Sequence, residues 1–413
     1  MIFNRLKSTV LILCTTAALL TLVEVVSFYL LENGVQVKYV HEEALKIENF
    51  KIYNDFLSGQ NQSDDRISKL TNYLDEWGVG KFENLEFDVK TSVPYEQKDY
   101  PRFSKEKLEV RYYGHSLLPN FDKDITLYEK NSDRVIYKAK YTTNESGWRI
   151  TSEPDKEKNG PSLVFLGCSF TFGEGLNNNE TFPYVLSDIT GLKTYNYGVP
   201  GSSPALMLKT ILKSDKPIFD PNDQNEKVLF YVYIGDHFNR VIANSKYLKY
   251  DLNFYNDPYF YLEDDQLKFE NTFSEMNFFK KTFIRLLSKS SFMKVLRLSY
   301  PSIGEEQVKL FAAIIEGIKK EAMKRDETVK DFYVVIWPGE KYKNTALISE
   351  LSNAGIKTIN YGDIDLFNLL KNRHELKRDG HPSALTNNLL AFLLSKDLEV
   401  LVEKSRTNKV DQN

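Results

Sequence analysis

Two short runs hold the residue types that nucleophilic acyl chemistry needs. The first, LVFLGCSFTFGEG (163–175), puts Ser169 just past an apolar stretch, among Gly167, Gly173 and Gly175. A serine placed between a strand and a helix presents its hydroxyl at the strand's carboxyl end. Glycine lets the backbone turn sharply there, and the Ser169 amide can point at a developing oxyanion. The second run, LKRDGHPSALTNN (376–388), holds His381 with Asp379 two residues before it. A hydroxyl attacks once a base of near-neutral pKa takes its proton, and that base needs a partner to hold its ring. Histidine with a nearby carboxylate meets both needs. Each run also has a plainer reading. Strand–Gly–Ser turns bind anions, and a lone histidine at a helix start is ordinarily a surface or capping residue. Cys168 reads as a small buried filler, because alternation turns it away from Ser169.

The elements that must position these residues start at Gly160. From there apolar strand-like runs alternate with helix-like segments. Strands are expected at 163–166, 193–197, 228–234, 332–337 and 356–361. Helices are expected at 182–190, 202–212 (Ser202 or Ser203 as N-cap), 304–325 and 384–401. Such alternation predicts an α/β fold: a parallel sheet with helices on both faces. Ligands bind outside the carboxyl ends of such strands. Residues 241–300 interrupt the alternation with an aromatic-rich insertion that includes Tyr247, Tyr255, Phe260 and Phe279. It is either a satellite hydrophobic cluster or a cap that stacks on sugar or acyl groups. Residues 78–159, with LEFDV, LEVRYY and VIYKAKYT, read as a small β-rich lead-in of structural role. The stretch 32–77 reads as a helical stalk broken near SGQNQSDD, and 404–413 as a frayed polar tail.

Residues 8–31, STVLILCTTAALLTLVEVVSFYLL, are mostly apolar. At ~1.5 Å per residue this run spans a bilayer core of ~30 Å. Arg5 and Lys7 keep residues 1–7 in the cytoplasm, which places the rest of the chain on the far side of the membrane. Glu24 lies in the outer third of the span, where an ionisable side chain costs at most ~2–3 kcal/mol. A cleaved signal peptide would have a shorter apolar region and small residues at its end; a buried structural helix is the remaining reading. The net charge of −3 over 413 residues provides no basic surplus, which argues against nucleic acid as a partner. Two cysteines, no Cys-x-x-Cys pair and five histidines argue against structural zinc.

Taken together, three blocks resemble the SGNH/GDSL hydrolase family over roughly residues 160–403. They are Gly167-Cys168-Ser169-Phe170-Thr171-Phe172-Gly173, Asn196-Tyr197-Gly198-Val199-Pro200-Gly201 and Asp379-Gly380-His381-Pro382. The resemblance implies a flavodoxin-like three-layer α/β/α domain. It also implies a triad in which Ser169 is nucleophile, His381 general base and then acid, and Asp379 the orienting carboxylate. The implied oxyanion hole uses the Ser169 and Gly201 amides and an asparagine side chain from a third block. That block departs from the family pattern. It reads Gly235-Asp236-His237-Phe238-Asn239-Arg240, so His237 stands at the asparagine position, with Asn239 two residues on. Either can donate the third hydrogen bond, or the hole has two amides only. The family's acid often stands three residues before the histidine; Arg378 occupies that position here.

The resemblance implies a membrane-anchored serine esterase that acts outside the cytoplasm. Its substrate would be an O-acyl group, such as acetyl, on an envelope glycan or lipid, with no cofactor and no metal. An O-acyltransferase using the same residues is the first alternative. A catalytically silent glycan-binding or assembly protein is the second.

Overall fold

The computed structural model describes residues 21, 23–26, 95–97, 120–129, 134–153, 160–213, 219–245, 257–276, 278–296, 298–339, 344–370, 373–376 and 379–410. The expected cytoplasmic segment 1–7, the stalk 32–77 and the runs LEFDV and LEVRYY lie outside them. So does the anchor 8–31, apart from Thr21 and 23–26, which are helical. Among the described residues, no helix is long and apolar enough to cross a membrane. The chain divides into two compact units. One comprises 88–243, 253–276 and 303–413; the other comprises 1–87, 244–252 and 277–302.

The larger unit begins with the lead-in. Strands β1 (Tyr95–Gln97), β2 (Asp122–Glu129) and β3 (Val135–Thr142) form an antiparallel sheet in that order. Along β3, Tyr137, Ala139 and Tyr141 are buried in turn, the period of two expected of a strand with one covered face. They pack with Phe121, Ile125, Leu127 and Phe172.

Next come β4 (Ser162–Gly167), α1 (Ser169–Phe172), α2 (Phe182–Thr190), β5 (Thr194–Gly198), α3 (Pro204–Lys213), β6 (Lys227–Tyr233) and α4 (Asp236–Val241). Ser203 caps α3 by accepting from the Leu206 amide at 3.1 Å, with Pro204 just inside the helix. A hairpin follows, β7 (Pro258–Glu263) with β8 (Gln266–Thr272). The smaller unit contributes α5 (Phe278–Lys289) and α6 (Ser291–Val295). The chain then returns as α7 (Glu305–Arg325), β9 (Val329–Ile336), α8 (Asn344–Asn353), β10 (Lys357–Asn360), α9 (Leu366–Leu370) and α10 (Ala384–Val410).

Five of these strands make one fully parallel sheet in the order β10-β9-β6-β4-β5. Every residue of β4 is buried, which explains why LVFL reads as a continuous apolar run. On one face Val164, Leu166, Tyr231, Tyr233 and Val334 pack against Leu208, Phe311, Ile315 and Leu351 of α3, α7 and α8. On the other, Leu163, Phe165, Val232 and Val335 pack against Phe182, Leu186, Leu390 and Leu394 of α2 and α10. These are the three layers that the alternating pattern predicts.

Two expectations need correction. The aromatic insertion is not one body. Phe260 of the hairpin is buried in the core shared with α3 and α7, whereas α5 and α6 belong to the smaller unit. The closing helix also passes its expected end at 401 and runs through the expected polar tail to Val410, because no glycine or proline between 384 and 410 stops it.

Gly198 is fixed by a close approach. A Cβ there would lie 2.3 Å from the Phe172 amide nitrogen and 2.8 Å from its Cα, both backbone atoms of α1. Gly198→Ala should therefore lower stability by about 1–3 kcal/mol in urea denaturation, since backbone must shift to admit the methyl group.

Candidate active site

In this sheet the chain passes from β4 to β5 on one side, then crosses back to β6 on the other. The carboxyl ends of β4 and β6 flank the point where strand order reverses, the usual crevice of an open α/β sheet. Ser169 follows β4, and His237 follows β6.

Cys168, fully buried in the core, precedes the single turn α1, and Ser169 is the first helical residue. Its amide therefore has no partner within the helix. Its carbonyl accepts from the Gly173 and Glu174 amides at 2.8 and 3.0 Å. Ser169 is 4% exposed, and its Oγ makes no hydrogen bond to another described residue. The tight turn needs Gly167, where a Cβ would lie 2.2 Å from Thr171 Oγ1.

A clamp from the lead-in holds this turn. Arg149 is 2% exposed, and its guanidinium stacks on the rings of Tyr141 and Phe172 at 4.4 and 4.6 Å. Nη1 donates to the carbonyls of Phe172 (2.9 Å) and Gly173 (2.6 Å), Nη2 to Leu176, and Nε to Asn178 Oδ1 (3.1 Å). The Gly175 amide donates to Tyr141 Oη at 2.6 Å. Burial pushes the Tyr141 phenol up, with the Glu174 carboxylate adding to the effect. The lead-in thus shapes the turn that carries Ser169. In the sequence this arginine lies in YTTNESGWRIT (141–151), where no spacing rule marks a residue whose partners are carbonyls of a distant turn.

The loop before α10 folds back on itself. The Leu376 amide donates to the His381 carbonyl at 2.7 Å, and the Asp379 amide to the Leu376 carbonyl at 3.1 Å. This closure brings the Asp379 carboxylate to His381 Nδ1, which donates to it. The loop is tied to the serine side: Asn387 Oδ1 at the start of α10 accepts from the Phe182 amide at the start of α2, at 3.1 Å. Phe170, the neighbour of Ser169, lies with its ring 5.8 Å from the His381 ring.

The other ring nitrogen, Nε2, faces Glu174 Oε2 at 3.6 Å, and the Glu174 side chain is 2% exposed. Two buried carboxylates therefore bracket one imidazole. Sequence reading missed Glu174, although it stands between Gly173 and Gly175, both at positive φ, in the turn that follows the serine.

Gly201, expected to line an oxyanion hole, sits buried at φ 71 in a turn closed by the Ser202 amide donating to the Val199 carbonyl at 2.9 Å. Arg240 Nη1 donates to the Ser202 carbonyl at 2.6 Å, which ties α4 to this turn. His237 is fully buried, and its Nδ1 lies 2.8 Å from Tyr231 Oη. Burial, reinforced by the Arg240 charge, pushes the imidazole well below its usual value and keeps it neutral. Burial likewise holds the Tyr231 phenol protonated. Tyr231 therefore donates to Nδ1, and the ring hydrogen sits on Nε2, a buried donor with no hydrogen-bond partner among the described residues. Asn239 is turned elsewhere: its Nδ2 donates to Asp236 Oδ1 at 3.3 Å. Among the described residues, no three metal-ligating side chains are grouped to hold an ion.

No protein-family model matches this chain, and no curated protein matches it. Among solved structures, a carbohydrate esterase aligns over 62% of this chain and 69% of its own, at 12% identity and a TM-score of 0.35. A lipolytic protein of the G-D-S-L family from Desulfitobacterium hafniense DCB-2 aligns over 57% and 99%, at 13% identity and a TM-score of 0.29. A carbohydrate esterase family 2 enzyme with a carbohydrate-binding domain, from Myceliophthora fergusii, aligns over 67% and 76%, at 10% identity and a TM-score of 0.31. Likeness of this degree assigns no activity, so the functional reading rests on the site's own geometry.

Two outcomes follow from the buried groups. Arg149→Ala strips three buried carbonyls of a charged donor. It should cost at least ~3 kcal/mol in chemical denaturation, at ~1.5–3 kcal/mol for each charge-assisted bond. His237 gives a pH signature. Below about 6.5 the unfolded chain protonates this imidazole while the folded chain resists, so stability rises with pH through that range and falls on acidification. Between pH 7 and 5 this group contributes a slope approaching about 1.4 kcal/mol per pH unit. Denaturation curves at each pH should lose that component in His237→Gln.

Proposed function

We propose that the protein is a serine ester hydrolase of the SGNH/GDSL kind, with Ser169 as nucleophile, His381 as general base and Asp379 as the residue that orients the ring. The observation that carries this reading is the His381 imidazole, held through Nδ1 by a buried carboxylate at the sheet rim that also carries Ser169. In the reaction Ser169 Oγ swings into reach of Nε2, which in this structure faces Glu174. His381 takes the hydroxyl proton as Oγ bonds to the acyl carbon. The carbonyl oxygen gains negative charge beside the amides of Ser169 and Gly201 and the orphan N–H of His237. Collapse breaks the ester bond, and the leaving alkoxide takes the proton from His381. Water, deprotonated by the same ring, then releases the acid.

The substrate class follows from the sequence reading. The anchor at 8–31 keeps residues 1–7 in the cytoplasm and the hydrolase outside, where O-acylated glycans and lipids of the envelope are the esters within reach.

The test is fluorophosphonate labelling and hydrolysis of an activated acetyl ester by the purified full chain. Wild type should label at Ser169 and turn over. Ser169→Ala should do neither, and Asp379→Asn should lose about 10⁴-fold in kcat, because the ring then takes the wrong tautomer. Labelling or turnover that persists in Ser169→Ala removes the assignment.

A further inference from the structure

In the smaller unit, helices α5 and α6 carry a second surface that the hydrolase chemistry does not use. Along α5, Phe279, Phe283 and Leu286 recur at helical spacing and are 79%, 50% and 64% exposed. Ile284 and Ser288, on the opposite side of the helix, are buried. A helix with one face buried and an apolar opposite face presents hydrocarbon outward, which water does not favour. Phe292 and Leu298 extend the exposed apolar surface, and Tyr300 packs edge-on against Phe283 with ring centroids 5.4 Å apart. The charge is one-sided. Residues 278–300 contain Lys280, Lys281, Arg285, Lys289, Lys294 and Arg297 and no acidic residue, in a chain whose net charge is −3.

A second observation says what lies beside this surface. The Glu24 carboxylate, within the apolar N-terminal run, accepts from Ser290 Oγ and from the amides of Ser291 (2.6 Å) and Phe292 (3.3 Å). These are the cap and first turn of α6, where the unpaired amides of a helix start favour an anion. The contact gives a physical account of the one acidic side chain in the run: its oxygens are met by three donors. On the reading of 8–31 as a helical span, Glu24 lies seven residues inside its outer end, which puts the start of α6 about 10 Å below that end at ~1.5 Å per residue. Interfacial helices bury their apolar face ~5–10 Å deep at the headgroup and acyl boundary.

We infer that residues 278–300 are a membrane-interface element. In this arrangement α5 lies in the outer leaflet of an anionic bilayer, with Phe279, Phe283 and Leu286 among the acyl chains. Its lysines and arginines lie at the headgroups, and Glu24 clasps the element to the anchor. The inference rests on the reading of 8–31 as a membrane span, and goes beyond it in giving the hydrolase a second contact with lipid.

The test uses the full chain reconstituted into vesicles of phosphatidylcholine with phosphatidylglycerol, with acyl-chain-brominated lipid as quencher. Phe283→Trp should add fluorescence that brominated lipid quenches by at least half. The native Trp77, Trp148 and Trp337 of the wild type set the background. Glu24→Ala should remain vesicle-bound, yet amide exchange at Ser291 and Phe292 should quicken at least tenfold. Carbonate extraction separates the two readings. A chain that resists extraction, while the added tryptophan fluorescence stays unquenched, keeps the anchor and overturns the interface element. A chain that is extracted overturns both. A disulfide between two copies of Phe283→Cys, with no quenching in the tryptophan variant, would make this face a contact between chains and defeat the lipid assignment.

Discussion

A single buried guanidinium decides whether the turn after β4 can hold its shape. Arg149 donates to three carbonyls of residues 172–176 while its flat faces rest on Tyr141 and Phe172. Two of those carbonyls have one further donor each, Asn196 Nδ2 on Phe172 at 3.3 Å and the Leu176 amide on Gly173 at 3.2 Å. The guanidinium adds charge-assisted bonds worth ~1.5–3 kcal/mol each. The antiparallel lead-in therefore forms part of the serine-bearing site. Its own edge is covered in return: Asn177 and Asn178 side chains accept from the Lys140 and Thr142 amides of β3. The backbone of Arg149 also bridges to Asn196 in β5. Lead-in, serine turn and sheet edge are thus joined by one set of hydrogen bonds.

Around the rim two histidines of the same sequence meet different surroundings. His381 lies between the buried carboxylates of Asp379 and Glu174. His237 lies in a fully buried pocket beside Arg240, which favours a neutral ring. Both are imidazoles, so any difference between them comes from burial and neighbouring charge. Glu174 stands 3.6 Å from His381 Nε2, the nitrogen that the proposed mechanism turns toward Ser169.

The contact between Glu24 and α6 links two segments more than two hundred and sixty residues apart, 24 and 290–292. Its logic matches that of the clamp. Several donors converge on one side chain, and a helix start supplies them from its unpaired backbone amides. The same device, one side chain meeting several backbone groups, thus recurs in both units of the molecule.

Local pattern alone determined the strand and helix succession from residue 160 onward. Apolar period and cap residues are written along the chain, so LVFL, FPYVLSDIT and VLFYVYI became β4, α2 and β6 at nearly the expected bounds. The pairing of Asp379 with His381 was legible too, since a two-residue separation on a loop is a local fact. The hairpin 258–272 and the division of the insertion were not legible, because aromatic spacing there does not say which core will receive each ring. Arg149, Glu174 and the orphan Nε2 of His237 were also out of reach. Each takes its character from partners brought together by the parallel sheet order β10-β9-β6-β4-β5, and sequence distance carries no record of that order. Burial and proximity, which set the charge of a side chain and the use it can have, arise only when the sheet closes its layers.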